Sequence, residues 1–188
     1  MEFKHYVEIK VQASGEVAPQ HLMNRTFEEA HWALVKISDG DMGVSFPDAG
    51  SNGLGTTLRV FGTHEQLERF RNYRWPRGLL QSLRFTETLG VPQNCKYLRV
   101  KRKQLKTNVE RLRRRAVKRH NITYEEACSR YPKSVEARTV LPFALVKSRS
   151  SAQRFRVFIS QEDQGLSAAG GRFSKYGLSQ DAATVPHF

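Results

Sequence analysis

The sequence predicts an α+β fold: an N-terminal ferredoxin-like domain, followed by a second α+β domain that carries an arginine-rich helix. Residues 1–94 alternate strand and helix patterns in the order βαββαβ. The turn-rich segment LGVPQN, at 89–94, coincides with an abrupt change in charge, and we place the domain boundary there. Residues 95–188 then return to strand patterns on both sides of a basic helix. These three observations determine the predicted architecture.

The N-terminal elements follow from the spacing of apolar side chains. Residues 4–12 alternate apolar and polar side chains, as a half-buried strand does. Residues 19–36 have apolar side chains at helical spacing and begin with Pro19, which is favoured in the first turn of a helix. The remaining predicted elements are strands at 42–47 and 57–62, a polar helix at 64–72 and a strand near 79–87.

The C-terminal elements alternate in the same way. A strand at 95–104 leads into the basic helix at 108–120, for which Asn108 is a suitable N-cap. A short helix at 123–131 has Thr123 as its cap and Glu126 three residues later, which is a capping box. The predicted elements that follow are strands at 140–148 and 153–160 and a glycine-containing segment at 168–179.

The positive charge lies entirely in the C-terminal half. Residues 1–95 contain ten Lys/Arg and eleven Asp/Glu, a net charge of −1, whereas residues 96–188 contain twenty-one and seven, a net charge of +14. Such an excess predicts a polyanionic partner. The sequence contains no apolar run long enough to span a membrane and no secretory leader, so we expect a cytoplasmic protein. Cys95 and Cys128 have no CxxC partner and are interpreted as free thiols.

The basic helix separates into two faces when residues 108–120 are placed at 100° per residue. Val109, Leu112 and Ala116 form a small apolar face. The opposite face carries Arg111, Arg114, Arg115 and Lys118. Only Glu110 offsets eleven Lys/Arg between residues 99 and 119, so an external anion must neutralise this face. Arginine grips phosphates and stacks on bases, which favours nucleic acid over a lipid surface.

The residues alone favour RNA as the partner and no metal, but they leave the catalytic residues open. The ferredoxin-like sheet is a common RNA module and no helix-turn-helix or zinc-finger spacing occurs, which favours RNA over DNA. The basic half has no clustered carboxylates of the kind that a two-metal nuclease needs, so no metal or other cofactor is expected. A histidine could deprotonate the 2′-OH of RNA, but periodicity alone would make His31 a packing or surface residue. Pattern alone would likewise place Ser148 and Ser150 in a hairpin turn and Tyr176 in the core.

Several segments together resemble a known family. They include a histidine within EEAHWALV, the segments GVSFPD and NVERLRRRAVKRH, and an Arg-x-Gln step at Arg102 and Gln104. Towards the C-terminus they continue with LPFALVKSRSS, QRFRVFI, FSKYGLS and VPHF. In this order and spacing they resemble the repeat-processing endoribonucleases of type I-F CRISPR systems, over nearly the whole chain.

The resemblance implies a metal-independent enzyme that cuts CRISPR precursor RNA at the base of each repeat hairpin. The products would be a 2′,3′-cyclic phosphate and a 5′-OH. The enzyme would stay bound to the mature crRNA hairpin as a subunit of the type I-F surveillance complex. By resemblance, His31 is the catalytic base, Ser148 holds the nucleophilic ribose and Tyr176 orients the histidine. The residues expected to contact RNA are Arg102, Gln104, Arg111, Arg114, Arg115, Lys118, Arg119, His120, Ser150 and Phe155.

The positive charge of the basic helix is equally compatible with two other functions. A non-catalytic subunit could cap an RNA hairpin within a ribonucleoprotein, and a regulator could bind duplex DNA with the same basic face. Charge does not separate these functions from an endoribonuclease, because all three neutralise phosphates. A cleavage assay with a repeat hairpin in EDTA distinguishes them.

Overall fold

A computed structural model describes residues 2–13, 15, 17–104, 109–133, 139–148 and 152–188. The elements of the N-terminal half are β1 (His5–Val11), α1 (Pro19–Ile37), β2 (Gly43–Ser45), β3 (Thr57–Gly62), α2 (His64–Arg71), α3 (Arg77–Leu80), β4 (Leu83–Phe85) and β5 (Leu89–Gly90). Those of the C-terminal half are β6 (Lys96–Lys103), α4 (Val109–His120), α5 (Tyr124–Arg130), β7 (Phe143–Lys147), β8 (Arg154–Asp163) and β9 (Val185–His187). The described residues therefore form an α+β protein.

The first sheet has the strand order β2-β3-β1-β4, which is the ferredoxin-like order, with β5 also paired to β1. All of its pairings are antiparallel. The predicted βαββαβ order is confirmed, but the predicted strand near 79–87 is wrong in extent. Its first residues form α3, in which Leu79 is fully buried, and only the short β4 pairs with β1.

The second sheet is antiparallel and has the order β7-β8-β6-β9. Its last strand, β9, pairs with the start of β6, from Lys96 opposite His187 to Leu98 opposite Val185. The sequence analysis predicted no strand there. Three residues that include Pro186 give no alternating pattern, and an edge position tolerates proline.

Apolar side chains from both sheets belong to one hydrophobic core. Val7 and Ile9 of the first sheet and Val100 and Ile159 of the second are fully buried in the same cluster. Helix α1 packs against the first sheet and against β7 of the second. The two sheets thus share one core, and α1 contacts both of them.

The chain divides into two compact units at positions other than residue 94. The larger unit contains Met1–Lys103 and Leu141–Phe188, and the smaller unit is Gln104–Val140. The predicted division at 94 differs from this one, because β6 to β9 complete the core of the larger unit while the basic region forms a unit of its own. The balance of charge in the sequence changes near residue 95, whereas the boundary between the two packed units lies at residue 104.

The smaller unit contains α4 and α5. Helix α4 (Val109–His120) coincides with the predicted basic helix at 108–120. The predicted N-cap, Asn108, lies outside the described residues. The predicted capping box of α5 is confirmed. The Thr123 hydroxyl accepts from the Glu126 backbone N–H at 3.1 Å, and the Glu126 carboxylate accepts from the Thr123 N–H at 2.9 Å.

Candidate active site and nucleic-acid interface

His31 lies on α1 and is only 8% exposed. Its ring stacks on Tyr176, with ring centroids 3.9 Å apart and planes inclined by 10°. Its Nδ1 lies 2.7 Å from the backbone carbonyl oxygen of Lys175. Because a carbonyl oxygen can only accept a hydrogen bond, Nδ1 carries the proton and donates it. In the neutral form of the ring the lone pair is therefore on Nε2, which is the nitrogen able to accept a proton.

The segment FSKYGLS forms the tight turn that holds the Lys175 carbonyl and the Tyr176 ring against His31. Phe173 and Ser179 bridge the two ends of the turn, and the Ser174 N–H donates to the Leu178 carbonyl at 2.7 Å. The Ser174 hydroxyl accepts from the N–H groups of Tyr176 and Leu178, each at 3.3 Å. These bonds within the turn fix the Lys175 carbonyl and the Tyr176 ring together.

Glycine at 177 is required by both conformation and space. Its φ of +70° lies in the left-handed region, which favours glycine. A Cβ there would lie 2.6 Å from Cγ1 of Val44, a fully buried side chain of β2. The Gly177 carbonyl also accepts from the Val44 N–H at 2.9 Å. The close approach of this turn to β2 therefore depends on the missing side chain.

The phenol of Tyr176 remains protonated at neutral pH. Burial raises its pKa above the usual range; the charge of Arg102 opposes that shift and the charge of Glu28 adds to it. The ring also packs at 5.7 Å from Phe27 of α1, between ring centroids. Tyr176 thus presents a neutral, well-held aromatic face to His31.

Two side chains of α1 attach the strand that leads to Ser148. The amide of Gln20 donates to the Phe143 carbonyl at 3.1 Å, and the amide oxygen of Asn24 accepts from the Leu145 N–H at 3.0 Å. Ser148 follows directly after β7, and its N–H donates to the Gln153 carbonyl at 2.9 Å. The helix that carries His31 and the strand that leads to Ser148 are therefore held together.

Ser148 lines a cleft of about 320 Å³. The residues lining this cleft, which we call the Trp32 cleft, are Glu28, Glu29, Trp32, Lys147, Ser148 and Ala152. The sequence analysis singled out only Ser148 among them. Trp32 directly follows His31 and its ring centroid lies 4.7 Å from that of the histidine, so the adjacency within EEAHWALV was the available signal.

Arg102 and Phe155 come together within the second sheet. The guanidinium carbon of Arg102, on β6, lies 5.6 Å from the centroid of the Phe155 ring, on β8. Arg102 is exposed and Phe155 is partly buried. Gln104 is exposed just beyond β6, and Ser150 lies outside the described residues. An exposed cation over an aromatic ring provides both charge and a stacking surface.

The predicted cationic face of α4 is present in the smaller unit. Four exposed side chains line one groove of about 470 Å³: Arg111, Arg114, Arg115 and Lys118. Arg119 and His120 are exposed in the last turn of the helix. Like charges gathered in one groove favour an anionic ligand.

Arg113 belongs instead to the docking face of α4. It is 7% exposed, its Nη1 donates to the Glu110 carboxylate at 2.9 Å, and its Nε donates to the Tyr131 carbonyl at 2.9 Å. The Tyr124 hydroxyl also donates to Glu110, at 2.8 Å. The sequence analysis assigned the docking face to three apolar residues, of which Leu112 is only partly buried, and it missed this buried arginine.

Within the described ranges, no three His, Cys, Asp or Glu side chains are grouped so that they could hold a metal ion. None of the described helices is both long and apolar enough to cross a membrane. Cys95 and Cys128 are free thiols, as predicted.

The fold and the site together define a class: an α+β protein with a cationic groove on α4 and a buried histidine on α1. Comparison with known proteins specifies the family. The chain belongs to the Cas_Csy4 family of CRISPR-associated proteins, whose profile matches residues 6–188. The predicted family resemblance is thereby confirmed.

Two curated relatives are similar over almost their full lengths. A CRISPR-associated endonuclease Cas6/Csy4 of Pseudomonas aeruginosa (strain UCBPP-PA14) is 38% identical over 186 residues, covering 98% of this chain and 99% of the relative. One of the same description from Escherichia coli (strain UTI89 / UPEC) is 38% identical over 184 residues, with the same coverage. The chain is accordingly an endonuclease of this family.

Proposed function

We propose that this endonuclease cleaves CRISPR precursor RNA at the base of the repeat hairpin, without a metal ion, by attack of a ribose 2′-OH on the adjacent phosphate. The observation that carries the proposal is the fixed tautomer of His31, whose Nδ1–H is held by the Lys175 carbonyl. A histidine in that state is a general base that can work near neutral pH. RNA provides the nucleophile, so the protein needs only to align it and remove its proton.

In this mechanism Nε2 of His31 accepts the proton of a 2′-OH that Ser148 holds in position. The 2′-oxygen bonds to phosphorus, the bond from phosphorus to the 5′-oxygen breaks, and the departing 5′-oxygen takes a proton from water, to which His31 later returns its own. The products are a 2′,3′-cyclic phosphate upstream and a 5′-OH downstream. The imidazolium formed on His31 is stabilised by its charge-assisted bond to the Lys175 carbonyl and by the Tyr176 ring against it.

RNA binding is assigned to two groups of residues. The cationic groove of α4, with Arg119 and His120 beyond it, would hold the phosphates of the stem. In the larger unit, Arg102 and Phe155 would contact the foot of the stem. Gln104, two residues after Arg102 in the sequence, would add a contact to a base there. Ser150 would add a phosphate contact near Ser148. The many cations favour retention of the cut hairpin, as expected of a cytoplasmic subunit that remains in a type I-F surveillance complex with other proteins.

The decisive experiment incubates wild-type protein and a His31→Ala variant with a labelled repeat hairpin in EDTA. We expect wild type to cut and the variant to slow single-turnover cleavage by roughly 10²- to 10⁴-fold, the usual contribution of a general base. Hairpin affinity should be unchanged, because His31 is buried and takes no part in the cationic groove.

Four results would contradict the proposal. Cleavage that stops in EDTA would require a metal, and lost affinity in His31→Ala would make the histidine a binding residue. Tight binding without any cleavage by the wild-type protein would support the non-catalytic alternative. Duplex DNA that competes as well as the hairpin would support the DNA-binding alternative.

A further inference from the structure

The Trp32 cleft adjoins the reacting groups, and apart from Ser148 its lining residues have no part in the mechanism above. It shares Ser148 with the proposed active site, and the Trp32 ring lies beside that of His31, with centroids 4.7 Å apart. Its volume of about 320 Å³ lies near the lower end for sites that hold one small organic molecule. A single nucleotide fits this scale and a helical stem does not.

Trp32 has the character of a stacking surface. The chain contains two tryptophans, and Trp75 is 4% exposed within the core. Trp32 is only partly buried, although it lies on the same helix as fully buried Phe27 and Ala30. An accessible indole at the edge of a nucleic-acid site offers a face on which any base can stack.

The position of the cleft indicates which nucleotide it takes. The nucleotide upstream of the cut belongs to the foot of the stem, for which Arg102 and Phe155 are available. The nucleotide downstream has left the stem and lost its stacking neighbour. It is joined to the scissile phosphate that lies at Ser148, so it must occupy space next to that residue.

The charges of the cleft suit a base better than a second phosphate. Lys147 adjoins Ser148 and can neutralise the scissile phosphate, while Glu28 would repel a further one. Carboxylate oxygens accept hydrogen bonds from exocyclic amino groups, which adenine, cytosine and guanine have and uracil lacks.

Building on the proposed function, we propose that the Trp32 cleft is a subsite for the first nucleotide downstream of the cut. Its base stacks on Trp32 and its amino group is bound by Glu28. The subsite makes this enzyme sensitive to the sequence that follows each repeat hairpin, in addition to the hairpin itself. Trp32 and Glu28 are then binding residues for the leaving strand.

The direct test follows Trp32 fluorescence in a Trp75→Phe protein, in which Trp32 is the only tryptophan. The probes are two hairpins with 2′-deoxyribose at the cleavage position, one ending there and one extended by a single downstream adenosine. A fluorescent label on each RNA reports binding separately through anisotropy. We expect both hairpins to bind and only the extended one to quench Trp32. Equal emission with both would overturn the subsite and leave the proposed function standing, whereas no binding of either would overturn both.

A second test uses cleavage, so it does not depend on the Trp75→Phe protein. We expect Trp32→Ala to slow cleavage at limiting enzyme by roughly fivefold to a hundredfold, the range for loss of one stacked base, and Trp32→Phe to restore most of the rate. An abasic downstream nucleotide should produce a similar loss in wild type but no further loss in Trp32→Ala. Additive losses would overturn the proposal. The matched control is His21→Ala, an exposed residue of α1 outside the cleft.

Base preference tests the role of Glu28. We expect wild type to cut substrates with downstream adenosine, cytidine or guanosine faster than those with uridine, and Glu28→Gln to reduce that preference. A preference that Glu28→Gln leaves unchanged would contradict recognition by this carboxylate.

Discussion

We propose that Tyr176 orients His31 through ring contact and not through its phenol hydroxyl. The two rings stack at 3.9 Å, and Nδ1–H of the histidine donates its hydrogen bond to the Lys175 carbonyl, not to the phenol. We therefore expect Tyr176→Phe to keep most of the cleavage rate and Tyr176→Ala to lose roughly tenfold or more, because alanine leaves a cavity beside the imidazole. Single-turnover rates on a bound hairpin measure both. Equal losses of cleavage rate in the two variants would assign the role to the hydroxyl. Gly177→Ala should lose about as much cleavage rate as Tyr176→Ala, because its Cβ would displace the turn.

Residue-scale prediction from the sequence succeeded where the signal was local. The capping box at Thr123 and Glu126 required only a four-residue pattern. The stack of His31 on Tyr176 joins residues far apart in the chain, and helical periodicity placed His31 only at the rim of the apolar face. Arg113 could have been found, because it lies about 40° from Val109 on a helical wheel, on the docking side of α4. Its charge concealed its structural role.

At the scale of the element, the cationic groove of α4 should govern affinity for RNA. We expect the double variant Arg115→Glu/Lys118→Glu to bind the hairpin much more weakly and with a flatter dependence on salt, because fewer counterions are released. Titrations at several salt concentrations measure both effects. The matched control is Arg69→Glu/Arg74→Glu, which makes the same charge change at exposed residues elsewhere. An equal loss of hairpin affinity in the control would show that the effect comes from net charge alone.

The contact between α4 and α5 should depend on pH through Glu110. Its hydrogen bonds from Tyr124 and Arg113 lower the pKa of this carboxyl. Because the pKa is lower in the folded state, the stabilisation is present above the unfolded value and is lost as pH falls through the folded one. Amide exchange of peptides from α4 and α5 should thus show greater protection in wild type than in Glu110→Gln near pH 6. The difference should disappear in strongly acidic solution, and a difference that persists there would contradict this account.

The elements that the sequence failed to predict share a physical cause. The segment 79–87 contains enough apolar residues for a strand, but the burial of Leu79 in α3 is decided by tertiary packing. Strand β9 is too short for periodicity and forms because β6 offers it an open edge. Longer elements, such as α1 and β8, carry several periods of their pattern and were predicted within a few residues of their ends.

At the scale of the whole molecule, Arg59 joins the two sheets of the larger unit. Its guanidinium bonds to the Glu8 carboxylate at 2.7 Å across the β1–β3 pair, and its Nη1 donates to the Phe188 carbonyl at 3.0 Å. The Phe188 ring, directly after β9, lies 3.9 Å from the guanidinium carbon. Arg59 itself is 6% exposed. One buried cation therefore links the central strands of the first sheet to the edge of the second.

We expect Arg59→Met to lower the free energy of unfolding by about 3 kcal/mol, because it removes the close partner of the Glu8 carboxylate and leaves only the exposed Lys10, 3.5 Å away, beside a poorly solvated charge. Replacing both residues, as in Arg59→Met/Glu8→Leu, should recover much of that loss. Urea unfolding followed by circular dichroism measures the three proteins. If the losses were simply additive in the double variant, Arg59 would stabilise the protein through packing alone.

The acceptor that holds Nδ1 of His31 is a main-chain oxygen, so no side chain encodes it. Position 175 can consequently change its amino acid without removing the group that sets the tautomer, provided that the turn closes. Mutational drift should therefore alter the charge of position 175 freely while Ser174 and Gly177, which shape the turn, stay constrained. Substitution of the side chain at position 175 therefore leaves the hydrogen-bond acceptor of Nδ1 in place.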